Sequence, residues 1–153
     1  MRYFITAALF VFLLSGCASQ STAMKPLVTA DAAKVKTVYV WDADGNSDIN
    51  LLRALKAEAQ RQLREKGLLI SDNAASTDAY VKITVLDGSR NADTKKTFVI
   101  ARLYALGSMT GELMYDKTAQ ATAKGGKQFE APEYPVREEV KELLSDWPTK
   151  GAK

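Results

Sequence analysis

Few residues in this chain could do chemistry, and their types narrow what that chemistry is. The 153 residues include one cysteine, Cys17, and no histidine. Without histidine there is no Ser-His or Cys-His pair and no imidazole ligand, which removes the commonest general base and the commonest zinc arrangements. The carboxylates remain. Asp42, Asp44, Asn46 and Asp48 set side-chain oxygens at alternate positions of one loop, the donor type that calcium takes. With Asp42 as first ligand, Gly45 falls at the fourth position instead of the sixth, and Arg53 stands where a bidentate glutamate should close the loop. The competing role for these residues is a strand-to-helix turn whose carboxylate caps the helix and complements its dipole. Glu130, Glu133, Glu138 and Glu139 could supply a glycosidase pair, which needs two carboxyls across a cleft. Clustered around one helix start, they read instead as dipole-complementing surface charge. No nucleophile elbow, phosphate-binding glycine loop or metal-ligand cluster stands elsewhere. The expectation is a protein that is not an enzyme and carries no cofactor.

Cys17 has a different setting. Arg2 is followed by the apolar run from Tyr3 to Leu14, and the small pair Ser15-Gly16 gives a peptidase room to cut before Cys17. The run falls short of the about 20 residues that span a bilayer. An ordinary secretory signal is the alternative, but it explains neither the lone thiol at the cut point nor the lack of a partner cysteine. Leu14-Ser15-Gly16-Cys17 resembles the lipobox of bacterial lipoproteins. That resemblance implies cleavage between Gly16 and Cys17 and a diacylglycerol on the Cys17 sulfur, usually joined by an acyl group on the new amino terminus. Two or more chains anchor stably where one is marginal. The following residue is Ala18 and not Asp, which under the enteric sorting pattern implies the outer membrane, at its periplasmic face.

The elements that follow set the architecture. Residues 1–16 are the expected signal peptide and 17–33, rich in Ser, Thr, Ala and Lys, the expected lipidated cysteine and tether. One domain over 34–148 and a tail over 149–153 complete the division. The net charge of +3 over the whole chain is spread through mixed-sign segments, so no nucleic-acid partner is expected. Val35 to Trp41 reads as a central strand, and Ser47 or Asp48 caps a helix with Leu52, Leu55, Ala59 and Leu63 on one face. Arg53, Lys56, Glu58, Arg61 and Glu65 lie on the other, and Gly67 ends the helix. A short strand at Leu68 to Ile70 is followed by clear strands at Tyr80 to Leu86, Thr97 to Leu106 and Glu112 to Thr122. The last of these reads as half-exposed, with an unpaired edge. Pro135 opens a terminal helix with Val136, Val140, Leu143, Leu144 and Trp147 as its apolar stripe. The predicted fold is α+β, a β-α-β-β-β-α two-layer sandwich with a mixed or antiparallel sheet of about four strands packed on two helices.

Three segments carry a further resemblance: Leu63-Arg64-Glu65-Lys66-Gly67-Leu68, the strand Asp78 to Val85, and Ala101-Arg102-Leu103-Tyr104 through Thr110-Gly111-Glu112-Leu113. Together they resemble small envelope lipoproteins of the lipopolysaccharide-assembly accessory, curli-secretion and TolB amino-terminal type. The resemblance implies an accessory or assembly subunit of a transport, secretion or polysaccharide-export complex, with other envelope proteins or further copies of itself as partners. It transfers no catalytic residue. A lipid-tethered ligand-binding module is the alternative and would need a concave pocket. The candidate partner-binding residues are Arg53 and Arg61 on the wet helix face and Tyr115 at the sheet edge. Arg90, Lys95 and Lys96 form a basic loop that reads as solvated. Trp41 and Trp147 are expected at the core rim.

Overall fold

The computed structural model describes residues 25–45, 47–91, 93–94, 96–124 and 134–149, so Gly16, Cys17, Asn46, Lys95, Glu130 and Glu133 lie outside the described residues. The elements are β1 (Leu27–Val28), β2 (Thr37–Val40), β3 (Asp44–Gly45), α1 (Ile49–Glu65), β4 (Leu69–Ile70), β5 (Ala79–Asn91), β6 (Lys96–Gly107), β7 (Leu113–Lys124) and α2 (Val136–Leu143). The strands make one seven-stranded sheet in the order β1-β7-β6-β5-β2-β4, with β3 paired to β5. Strands β1, β7, β6 and β5 pair antiparallel in turn, whereas β2 and β3 are parallel to β5 and β4 is parallel to β2. The sheet is therefore mixed and wider than the four or so strands expected. The excess is in β4, the short strand expected at Leu68 to Ile70, and in β1 and β3, each two residues long and too short to show an alternating pattern.

Both helices pack on one face of this sheet. Alternation decides which side chains meet them: Val81, Ile83 and Val85 on β5, Val99, Ala101, Leu103 and Ala105 on β6, and Tyr115 and Ala119 on β7 are buried. Leu51, Leu55, Ala59 and Leu63 of α1 close over them, joined by Val140 and Leu143 of α2 and by Leu144 and Trp147 beyond it. Each large apolar side chain so buried contributes about 1.5–3 kcal/mol. The Asp48 carboxylate caps α1 by accepting the Asn50 N–H at 2.8 Å. At the other end Gly67 takes φ +84, and Leu68 N–H reaches back to the Leu63 carbonyl at 3.1 Å.

Two expectations need correction. The folded part begins before Lys34: β1 pairs with β7, a 3-10 turn spans Ala30–Lys34, and Ala32 and Val35 are buried. The expected tether over 17–33 therefore overlaps the sheet. The expected unpaired edge of β7 is covered by β1 at Tyr115 and Asp116, and from Lys117 onward no described strand pairs with that side. Strands β5 and β6 also extend further into their connecting loop than expected, past a bulge between Val85 and Asp87 that turns Leu86 outward.

Candidate functional site

The face of the sheet away from the helices gathers the most distinctive side chains. Alternate positions put Tyr39 of β2, Tyr80 and Lys82 of β5, Arg102 and Tyr104 of β6 and Asp116 of β7 there, with Trp41 just past β2. Trp41 and Tyr80 stack with centroids 5.3 Å apart and planes 20° from parallel. The Lys82 ammonium lies 5.7 Å from the Trp41 centroid and pairs with the Asp44 carboxylate at 2.6 Å. That hydrogen bond raises the Lys82 pKa and lowers the Asp44 pKa. The Arg102 guanidinium grips both Asp116 oxygens at 2.7 and 2.6 Å, and its carbon sits 5.6 Å from the Tyr104 centroid. On this face each of the two cations beside a ring is also paired with a carboxylate.

The residues expected to do chemistry go elsewhere. Asp42 pairs with Lys56 at 2.7 Å, a contact that lowers its pKa, Asp44 pairs with Lys82, and Asp48 caps α1. The three carboxylates of the candidate calcium loop thus have three separate partners. Among the described residues no group of three or more metal-ligating side chains converges. Arg53 is exposed on α1, in the place expected of it. Arg61 is held by Glu58, to which its Nε donates at 2.8 Å, and also by Glu65, so its charge is largely compensated. Tyr115 is not at a surface. It is fully buried, its ring 5.0 Å from that of Trp147, and its hydroxyl donates to the Leu143 carbonyl at 2.6 Å. Burial raises its pKa, and the Asp146 charge adds to the effect. Of the two tryptophans, Trp147 is in the core and Trp41 is half-buried on the open face.

Two ionisable residues that sequence reasoning placed at the surface or passed over are inside. Glu139 is fully buried, its Oε1 accepts the Ala101 N–H at 2.9 Å, and burial pushes its pKa up to about 7. The signal was present, because position 139 lies three after Val136 and four before Leu143, within the apolar stripe of α2. Lys117 of β7 is also buried, and its ammonium contacts Ser145 at 2.5 Å, Asp146 at 2.6 Å and Glu142 at 3.0 Å. Burial works to lower its pKa, but the two carboxylates outweigh it and leave the value raised. This cluster fixes the turn after α2 to the sheet.

A cavity of about 450 Å³ lies at the β6–β7 turn, lined by Thr29, Asp78, Ser108, Thr110 and Glu112 among others. Two of its polar residues serve the fold: Asp78 accepts the N–H groups of Lys36 and Thr37, both at 2.8 Å, and the Ser108 hydroxyl bonds the Thr77 carbonyl.

No protein-family model matches the chain, and no curated protein matches it in sequence. Solved structures do match its fold. The PelC dodecamer from Paraburkholderia phytofirmans superposes with a TM-score of 0.65 at 12% identity, covering 82% of this chain and 96% of that one. Lipoprotein GNA1162 from Neisseria meningitidis gives a TM-score of 0.54 at 15% identity, over 72% of this chain and 93% of that one. A DUF4136 family protein from Bacteroides thetaiotaomicron gives 0.53 at 8% identity, over 80% and 94%. At these identities the likeness is one of fold: a mixed sheet with two helices on one face, shared with PelC and with a bacterial lipoprotein.

Proposed function

We propose that this chain is a non-enzymatic lipoprotein, anchored by an acylated Cys17 at the periplasmic face of the outer membrane, that works as an accessory or assembly subunit of a transport, secretion or polysaccharide-export complex. It acts through protein contacts, among them contacts with its own copies. The observation that carries this reading is the fold likeness to a protein solved as a dodecamer, which takes in nearly all of that protein's chain. The lipobox-like Leu14-Ser15-Gly16-Cys17 and the lipoprotein among the fold neighbours support the anchor. Arg53, exposed on α1, and the ringed cations of the open face supply surface for partners. In the β6–β7 cavity Asp78 and Ser108 are engaged by the backbone, which leaves fewer polar groups for a small ligand.

The test is membrane fractionation and affinity purification of the full chain beside Cys17→Ser, with mass spectrometry of the amino-terminal peptide and of the proteins that come with it. The expected result is an acylated Cys17 in the outer-membrane fraction, with a defined set of companions or multimers of the chain itself. A soluble, unacylated wild type would overturn the anchor. An acylated protein recovered alone as a monomer would overturn the accessory role and favour a tethered ligand-binding module.

A further inference from the structure

Among the described residues β1 and β4 are the outermost strands of the sheet, one on each side, with β7 beyond Asp116 and the off-path β3 also lacking a strand partner on one side. The backbone polarity of β1 and β4 can be read from the bonds they already make. Thr29 N–H donates to the Met114 carbonyl of β7 at 2.9 Å, so the antiparallel alternation turns Leu27 and Thr29 toward β7 and leaves the amide and carbonyl of Val28 facing outward. On β4, the N–H groups of Leu69 and Ser71 donate to the carbonyls of Lys36 and Val38, each at 2.9 Å, which leaves Ile70 facing outward.

The side chains follow the same alternation. Val28 lies opposite Tyr115 and Ile70 beside Val38, so both are on the helix-covered face. Leu27, opposite Asp116, and Leu69, beside Thr37, are on the open face. β1 and β4 also run in opposite directions within the sheet. Two copies placed side by side in the same orientation therefore bring β1 against β4 antiparallel, with outward groups meeting outward groups and like faces meeting like faces. A parallel pairing would set Val28 beside Leu69 or Ser71 and bring opposite faces together. The edges are apolar as well: Leu27, Val28 and Leu69 are 45%, 38% and 68% exposed.

We propose that β1 of one copy adds to β4 of the next, Val28 opposite Ile70, Leu27 opposite Ser71 and Thr29 opposite Leu69, so that the sheet continues from copy to copy. This deepens the self-assembly part of the proposed function and rests on it. The contact joins two different patches, so it propagates head to tail and closes into a ring when the rotation between copies permits. Pro26, which has no N–H to give, falls opposite Asp72 and ends the ladder on that side.

Two variants of the full chain in detergent test this. Leu27→Cys with Ser71→Cys places one thiol at each edge, at a pair whose backbone groups point away from the junction and whose side chains lie close. Mild oxidation is expected to give a ladder of disulfide-linked species beyond the dimer, absent from wild type and from either single variant, and a mixture of the two singles is expected to stop at the dimer. Val28→Pro removes only an outward N–H, so it is expected to abolish the multimer while the circular dichroism spectrum is retained. A wild-type multimer that persists in Val28→Pro, or a double-cysteine multimer that gives no ladder, would overturn the edge contact and leave self-assembly standing. A wild type that is monomeric would overturn the self-assembly reading beneath it.

Discussion

Glu139 is the residue whose chemistry departs most from its sequence context. Its carboxyl has a folded pKa of about 7 against an ordinary value of 4.5. Between these values the folded chain keeps a proton that the unfolded chain has lost, so this group makes stability fall as pH rises from about 4.5 to about 7 and level off above. Glu139→Gln keeps an acceptor for the Ala101 N–H and removes the charge. In thermal melts across that range the variant is expected to lose the decline and to exceed wild type at pH 8 by up to about 3 kcal/mol. A variant with the wild-type slope would contradict the burial. Asp44 and Asp146, with lowered pKa values, contribute stability that is lost only as pH falls through their folded pKa values, below this window. Tyr115 offers a second check, since its hydroxyl serves the buried Leu143 carbonyl at 2.6 Å. Tyr115→Phe is expected to cost about 1–2 kcal/mol in denaturant melts with no change in assembly. A loss of assembly at unchanged stability would return Tyr115 to the partner-binding role expected of it at the sheet edge.

At the scale of elements, what was legible in the sequence follows the length of each pattern. Helix α1 was readable from Leu55, Ala59 and Leu63, from the Asp48 cap and from Gly67, and strands β5, β6 and β7 from their alternation. The short β4 was expected after Gly67, but β1 and β3 span two residues each, and such a strand is specified by its neighbours and not by its own period. That is why the covering of β7 by β1 was hidden, whereas Tyr115 is buried by Trp147 and the end of α2. Strand β3 also depends on a close approach. Gly45 adopts φ +126, and a Cβ there would stand 2.3 Å from the Val85 carbonyl oxygen. Gly45→Ala is expected to destabilise the fold by about 2 kcal/mol or more and to raise exchange of the β3–β5 amides over those of β6–β7. An unperturbed melting curve would mean that β3 is not held against β5.

For the whole molecule, class and layering were readable because two amphipathic helices and three long strands leave few ways to bury their apolar faces. The site was legible only in part. Arg53 is exposed as its helical position implied, whereas the carboxylates of the Asp42 to Asp48 loop and the guanidinium of Arg61 are spent on local pairs that a linear pattern does not reveal. The open face was missed because its members are scattered over four strands and meet only once the register of β2, β5, β6 and β7 is set. What the assembled domain presents is a half-buried aromatic face and two edges of matching polarity, features suited to protein contact. The most direct test is native mass spectrometry of the full chain released from membranes in mild detergent. The account predicts a closed multimer of defined copy number in which every subunit carries the mass of acyl chains on Cys17. A monomer at all concentrations, or subunits without lipid, would contradict it.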